Sequence, residues 1–181
     1  GDVYKRQAYS SPHYHPMSQG IALEGMRLVT TYLPRAYTTP DDLEARAHMM
    51  SAAAMGATAF QKGLGAIHAM SHPVGAIFNT HHGTTNAVCM PAVLAFNADT
   101  IRGRFDQAAA YLGIDGGFDA FCEFVQQFND SFAIPRTLTE MGVSADRLDD
   151  LVAMALEDPS CGGNPVELTA DGLRGLFRAC F

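Results

Sequence analysis

Gly63-Leu64-Gly65-Ala66-Ile67-His68-Ala69-Met70-Ser71-His72-Pro73-Val74-Gly75-Ala76-Ile77-Phe78-Asn79-Thr80-His81-His82-Gly83 is the stretch on which the reading of this chain turns. Glycines open it and break it. The segment Ala66 to Phe78 is apolar apart from Ser71 and two histidines. Pro73 either ends a helix or sits in the first turn of the next one. Residues 79–83 read as a polar turn. Beyond it, Ala87 to Phe96 forms a second buried segment with Pro91 inside, and Thr85 and Asn86 are its candidate caps. Glycines within an otherwise buried helical region mark close approach of backbone to a neighbour or a bound group.

Outward from this centre the pattern stays helical. Period-2 alternation of β-branched residues never lasts six positions, and Ala, Leu, Met, Glu and Gln dominate. Upstream, residues 16–33 carry an apolar stripe that Pro34 is expected to end. Thr39 reads as the N-cap of the next helix, with Pro40 at its first position and an Ala- and Met-rich body from Ala45 to Phe60. Downstream, helices are expected from Asp99 or Thr100 to about Leu112, over 118–130, over 145–157 with Ser144 as cap, and from Thr169 through Phe181. The segment from Asp158 to Pro165 reads as a loop. Seven or eight helices and no sheet make an all-α fold, a multi-helix bundle-like domain.

Composition bounds the rest. The chain has 181 residues, enough for one domain with a sizeable core. Apolar residues are 48% and charged residues 17%, the reverse of a disordered segment. Twelve Lys plus Arg stand against 19 Asp plus Glu, so the net charge is -7 and a general nucleic-acid binder is not expected. No apolar run reaches membrane-spanning length, and no signal peptide is visible. The four cysteines, Cys89, Cys122, Cys161 and Cys180, lack a Cys-x-x-Cys pair and read as free thiols in a reducing, cytoplasmic compartment. Cys89, between Val88 and Met90, reads as an inert core thiol. Lys62 faces solvent or a cofactor phosphate.

Chemistry concentrates where four of the seven histidines do: His68, His72, His81 and His82. His68 and His72 share a face if their segment is helical, and a third ligand is available from the turn at His81 or His82. Imidazole suits a borderline divalent ion such as zinc or ferrous iron. The zinc-peptidase pattern requires Glu after the first His, where this chain has Ala69. No carboxylate lies inside the cluster, so a further ligand must come from elsewhere. His13 and His15 lie in a short Pro-flanked loop, and His48 reads as structural. The chain has no dinucleotide fingerprint, phosphate loop or nucleophile elbow.

The run Gly63 to Gly75, then His82-Gly83, Asn86-Ala87 and Pro91-x-Val93, resembles the signature of the iron-containing (group III) alcohol dehydrogenases. His82 lies fourteen positions after His68, as in that signature. Asn97, Gly116-Gly117, Ile134-Pro135 and the segment Asp158 to Pro165 are similar to the same family's C-terminal half, so the resemblance covers nearly all of 8–181. It implies the helical metal-binding domain of a two-domain enzyme, like the C-terminal domain of dehydroquinate synthase-like proteins. The partner domain would bind NAD or NADP.

The resemblance carries roles residue by residue. His68 and His82 correspond to two metal ligands, for Fe(2+) with Zn(2+) as the alternative. His72 corresponds to the residue beside the reacting centre and the nicotinamide, placed for proton relay or substrate positioning. His81 lines the site. The family's other two ligands, Asp-x3-His, belong just upstream of Ala8-Tyr9-Ser10, where this chain has Val3-Tyr4-Lys5-Arg6-Gln7. Residues 1–7 therefore read as an out-of-pattern leader and 8–181 as the helical domain, with the nucleotide-binding domain absent. The expected reaction is hydride transfer between a small alcohol, aldehyde or ketone and nicotinamide, with the metal as Lewis acid. Apolar residues Phe60, Ile67, Phe78 and Cys161 are the expected substrate walls. These 181 residues alone are expected to be inactive. A homo-oligomer is compatible with the sequence. Two other readings compete: a non-catalytic helical domain that kept the histidines, and a metallohydrolase using His68, His72 and His82.

Overall fold

The computed structural model describes residue 9, residues 14–59 and residues 64–181. Among them every regular element is helical, so the fold is all-α. The chain divides into two compact units, Gly1–Gly63 and Leu64–Phe181. The leader 1–7, His13, Phe60 and Lys62 lie outside the described residues.

The first unit holds α1 (Pro16–Thr38) and α2 (Leu43–Ala59), which pack together as a helical hairpin. Pro34 does not end α1. A proline inside a helix removes one N–H and crowds the preceding turn without forbidding continuation. Here the last turn closes around it, with the Thr38 hydroxyl donating to the Pro34 carbonyl at 2.9 Å and the Thr39 N–H to Arg35. The start of α2 likewise differs from expectation. Asp42, not Thr39, caps it, its Oδ1 accepting from the Ala45 N–H at 3.0 Å. His15 caps α1, its Nδ1 accepting from the Ser18 N–H at 3.1 Å. His48 stacks on Tyr32 with centroids 3.9 Å apart, a structural contact.

The second unit contains α3 (Ala66–Phe78), α4 (His82–Phe96), α5 (Ala98–Leu112), α6 (Gly117–Asp130), α7 (Leu148–Leu156) and α8 (Ala170–Cys180), with short 3-10 turns at Thr139–Met141, Ala145–Arg147 and Pro159–Gly163. Eight of the thirteen α3 residues are buried, which makes it the central helix of this unit. It packs against α4, α7 and the Pro159–Gly163 turn. On its other sides α4 meets α6 and α8. Phe105, Phe118 and Phe121 interlock, with centroid separations from Phe105 of 6.2 and 5.0 Å.

Pro73 lies within α3, and Pro91 within α4. The turn between them is shorter than expected, three residues instead of five. Asn79 takes the left-handed conformation, φ 52°, and returns its N–H to Gly75. Asn tolerates this conformation better than any other residue with a Cβ, so it can close a helix where Gly is absent. His81 then caps α4, its Nδ1 accepting from the Thr84 N–H at 3.3 Å. Thr85 and Asn86, expected as caps, are instead buried one turn inside the helix. The correction matters because it puts His82 at the first position of α4, facing back toward α3. Ser144 makes no side-chain cap, and a 3-10 turn precedes α7. Thr169 caps α8 as expected, accepting from the Gly172 N–H at 3.1 Å.

One segment pins the central helix. Gly65, ahead of α3, has no side chain to cap it. Asn164 does so from elsewhere in the chain, its Oδ1 accepting from the Ala66 N–H at 3.2 Å. Asn164 also exchanges two hydrogen bonds with buried Asn97, at 3.0 and 2.9 Å, and donates to the Val166 carbonyl at 2.7 Å. Gly163 lies against the Leu64 backbone so closely that a Cβ would overlap the Leu64 carbonyl oxygen. That close approach explains a glycine here.

Candidate active site

Three imidazoles meet between α3 and α4. His68 and His72, one helical turn apart on α3, have centroids 5.6 Å apart. The early start of α4 brings His82 to 5.2 Å from His68 and 5.5 Å from His72. The rings of His72 and His82 are nearly parallel, 14° between planes. His81 points away from this group into its capping role, its Nδ1 also 3.1 Å from the Thr84 hydroxyl.

Asn86 joins two of the three. Its side-chain nitrogen lies 3.0 Å from Nε2 of His82 and 3.4 Å from Nε2 of His68. Two imidazole nitrogens that contact one amide nitrogen converge on one small region. The Asn86 carbonyl oxygen is buried and has no hydrogen-bond partner among the described residues. An orphaned buried carbonyl costs on the order of 1–3 kcal/mol, so this is a polar locality inside an apolar helix pair.

Electrostatics keep this pair neutral. His68 is 1% exposed, and burial, reinforced by the neighbouring histidines, pushes its pKa down to about 3. His82 is lowered too, by burial first and then by His72. A neutral imidazole offers a lone pair, which is what a divalent cation requires. The donor set therefore fits two nitrogen ligands of a borderline ion such as Fe(2+) or Zn(2+). Among the described residues no group of three or more His, Cys, Asp or Glu is arranged to hold a metal.

His72 has a partner of its own. Its Nδ1 lies 2.7 Å from Oδ2 of Asp158, which arrives from the segment after α7. Burial opposes ionisation of Asp158, yet hydrogen bonds from Ser160 and His72 outweigh it and hold the carboxyl below its usual range. No spacing signal marks this pair, since 86 positions separate its members. Ile67 is buried and Phe78 half-buried, while the Cys161 thiol donates to the Ala155 carbonyl at 2.9 Å. Burial, with Asp158 nearby, raises the Cys161 pKa, so it stays a thiol. Cys89 is fully buried and its pKa is raised by a hydrogen bond with Cys180 and by burial. All four cysteines are free thiols.

Residues 6–181 match the Fe-containing alcohol dehydrogenase family, C-terminal. The chain is similar to a 4-hydroxybutyrate dehydrogenase of Cupriavidus necator, 38% identical over 180 residues, 94% of this chain and 47% of that protein. An NAD-dependent methanol dehydrogenase of Bacillus methanolicus is 33% identical over 180 residues, 95% of this chain and 47% of that protein. Among solved structures, an iron-containing alcohol dehydrogenase of Thermococcus thioreducens superposes with TM-score 0.89 at 31% identity, covering 98% of this chain and 47% of that one. The chain spans about half the length of the curated relatives it matches. No helix among the described residues is long and apolar enough to cross a membrane.

Proposed function

The chain belongs to the Fe-containing alcohol dehydrogenase family, and from that membership we propose that residues 8–181 are the metal-binding helical domain of an NAD(P)-dependent alcohol dehydrogenase. The substrate class is a small primary or secondary alcohol and its aldehyde or ketone. The observation that carries the reading is the convergence of His68 and His82, both neutral, on one point beside His72.

In this reading His68 and His82 hold a divalent ion, Fe(2+) or alternatively Zn(2+), through Nε2. The ion supplies Lewis acidity toward the alcohol oxygen. Nicotinamide, when bound, would supply the hydride acceptor for the alcohol carbon. The protein's part is placement and proton handling. Helix α3 is buried along most of its length, so the backbone that carries His68 and His72 is firmly placed, and His68 itself is enclosed. His72, its side chain 43% exposed, sits at the edge of the cluster and can pass the alcohol's proton on to solvent. The free thiols support a reducing compartment, the cytoplasm.

Replacement separates the roles. His68→Ala or His82→Ala is expected to lower retained Fe(2+) or Zn(2+) by about tenfold or more, read by elemental analysis after gel filtration. His72→Ala is expected to leave metal content unchanged and lower turnover in the complete dehydrogenase. Loss of metal in His72→Ala would overturn the assignment. Full metal retention in every variant would favour the non-catalytic reading.

A further inference from the structure

The contact between His72 and Asp158 carries more than proximity. An ionised carboxylate only accepts hydrogen bonds, so the 2.7 Å contact to Oδ2 requires the proton on Nδ1 of His72. The other carboxylate oxygen is committed: Oδ1 accepts from the Ser160 N–H at 2.8 Å, capping the 3-10 turn that follows. Asp158 is thus held by its own backbone neighbourhood, and its side chain is only 12% exposed. The segment bearing it is pinned to α3 at its far end by Asn164 and Gly163. These contacts place the carboxylate against the imidazole.

We propose that Asp158 is a positioning residue that fixes His72 as the Nδ1–H tautomer and so presents Nε2, with a free lone pair, as the proton acceptor beside the reacting centre. The proposal rests on the reading of His72 given above. In alcohol oxidation the O–H bond breaks and an Nε2–H bond forms, while the hydride leaves the carbon for nicotinamide and a C=O bond results. Asp158 stays ionised throughout and faces the imidazolium so formed. Carbonyl reduction runs the same transfers backward. The same logic, a buried carboxylate setting the tautomer of a working histidine, governs the serine-protease triad.

The test reads the tautomer directly. In the 15N-labelled chain, long-range proton–nitrogen correlation at about pH 9, above the ordinary imidazole range, reports which ring nitrogen is protonated. His72 is assigned by its loss in His72→Gln. The wild-type spectrum is expected to show Nδ1–H, and Nε2–H there would overturn the proposal without any variant. Asp158→Asn preserves the cap, since Asn caps as well as Asp. Its Oδ1 remains committed to Ser160, so its amide N–H2 faces Nδ1 and the proton is expected to move to Nε2. An unchanged tautomer in a folded Asp158→Asn chain would refute the assignment. Should that variant unfold, Asp158→Ala is expected to lose the fixed tautomer, with folding checked by circular dichroism. In the complete dehydrogenase, Asp158→Asn is expected to lower kcat by about 10²-fold or more, with alcohol KM and metal content unchanged. Tautomer inversion with unchanged kcat would overturn the relay role of His72 while leaving the hydrogen-bond assignment standing. A fall in kcat without inversion would overturn the assignment itself.

Discussion

Gly163→Ala isolates what the close approach of the 158–164 segment to α3 contributes. A Cβ there overlaps the Leu64 carbonyl oxygen and sits 2.9 Å from the Leu64 carbonyl carbon and 3.2 Å from its nitrogen. These are backbone atoms immediately ahead of α3, so no side-chain rotation relieves the clash. The two strands of chain must part by about 1 Å, and overpacking of this kind costs roughly 1–3 kcal/mol. Parting them also stretches the Asn164–Ala66 bond, already 3.2 Å, beyond useful length. Leaving that helix N–H and the Asn97–Asn164 exchange impaired adds about 1–2 kcal/mol. The total is about 2–5 kcal/mol, a large share of the roughly 5–15 kcal/mol of a typical domain. Urea unfolding followed by circular dichroism measures it, with Gly162→Ala as the control. Gly162 is exposed with nothing within 4 Å of a Cβ, so its replacement is expected to be neutral or slightly stabilising. Equal stability of the two variants would refute the argument that backbone contact demands the glycine.

Four shorter predictions accompany it. Asn97→Asp sets a carboxylate oxygen against Oδ1 of Asn164 in a site 2% exposed, so a loss of about 2–4 kcal/mol is expected at pH 7 by urea unfolding, shrinking as falling pH protonates the acid. Phe121→Ala removes a fully buried ring 5.0 Å from Phe105 and is expected to cost about 3–5 kcal/mol by the same assay. Asp42 titrates below its usual value, first through its bond from the Ala45 N–H and then through Arg35. Its stabilising effect is therefore present above the unfolded-state value of about 3.9 and lost as pH falls through the depressed folded value. Asp42→Asn, which still caps, is expected to flatten that part of an acid-unfolding curve. Finally, if residues 8–181 are the metal-binding half of a two-domain dehydrogenase, as proposed, residues 1–181 alone are expected to give no alcohol-dependent reduction of NAD(+) or NADP(+). Steady absorbance growth at 340 nm in purified material would refute this.

The helices were legible because their information is local. The buried Ala66–Phe78 run, the Thr169 cap and the Gly116-Gly117 break each carry their own signal, and the structure has helices beginning or ending there. Prolines misled at position 34 because a helix can absorb a missing N–H when a threonine hydroxyl closes the turn. The turn before α4 misled because a histidine took the capping role usually held by Ser, Thr, Asp or Asn. Spacing correctly placed His68 and His72 on one face, yet it could not say which would converge with His82 on Asn86 and which would have a carboxylate partner. That distinction depends on Asp158, far along the chain, and on Asn86, whose sequence position fits a cap as well as a bridge between His68 and His82. Contacts that join distant segments leave no periodicity behind.

The pinning of α3 by Asn164 also sets an order of events at the ribosome. The helix bearing His68 and His72 leaves the ribosome 98 residues before the amide that caps it. At a synthesis rate of about 5–20 residues per second, that interval is roughly 5–20 s. During it the mostly apolar α3 has an uncapped N-terminus, and His72 lacks its carboxylate. The site is thus assembled late, by the last third of the chain, and a nascent protein stalled before residue 158 would carry all three histidines without the frame that orients them.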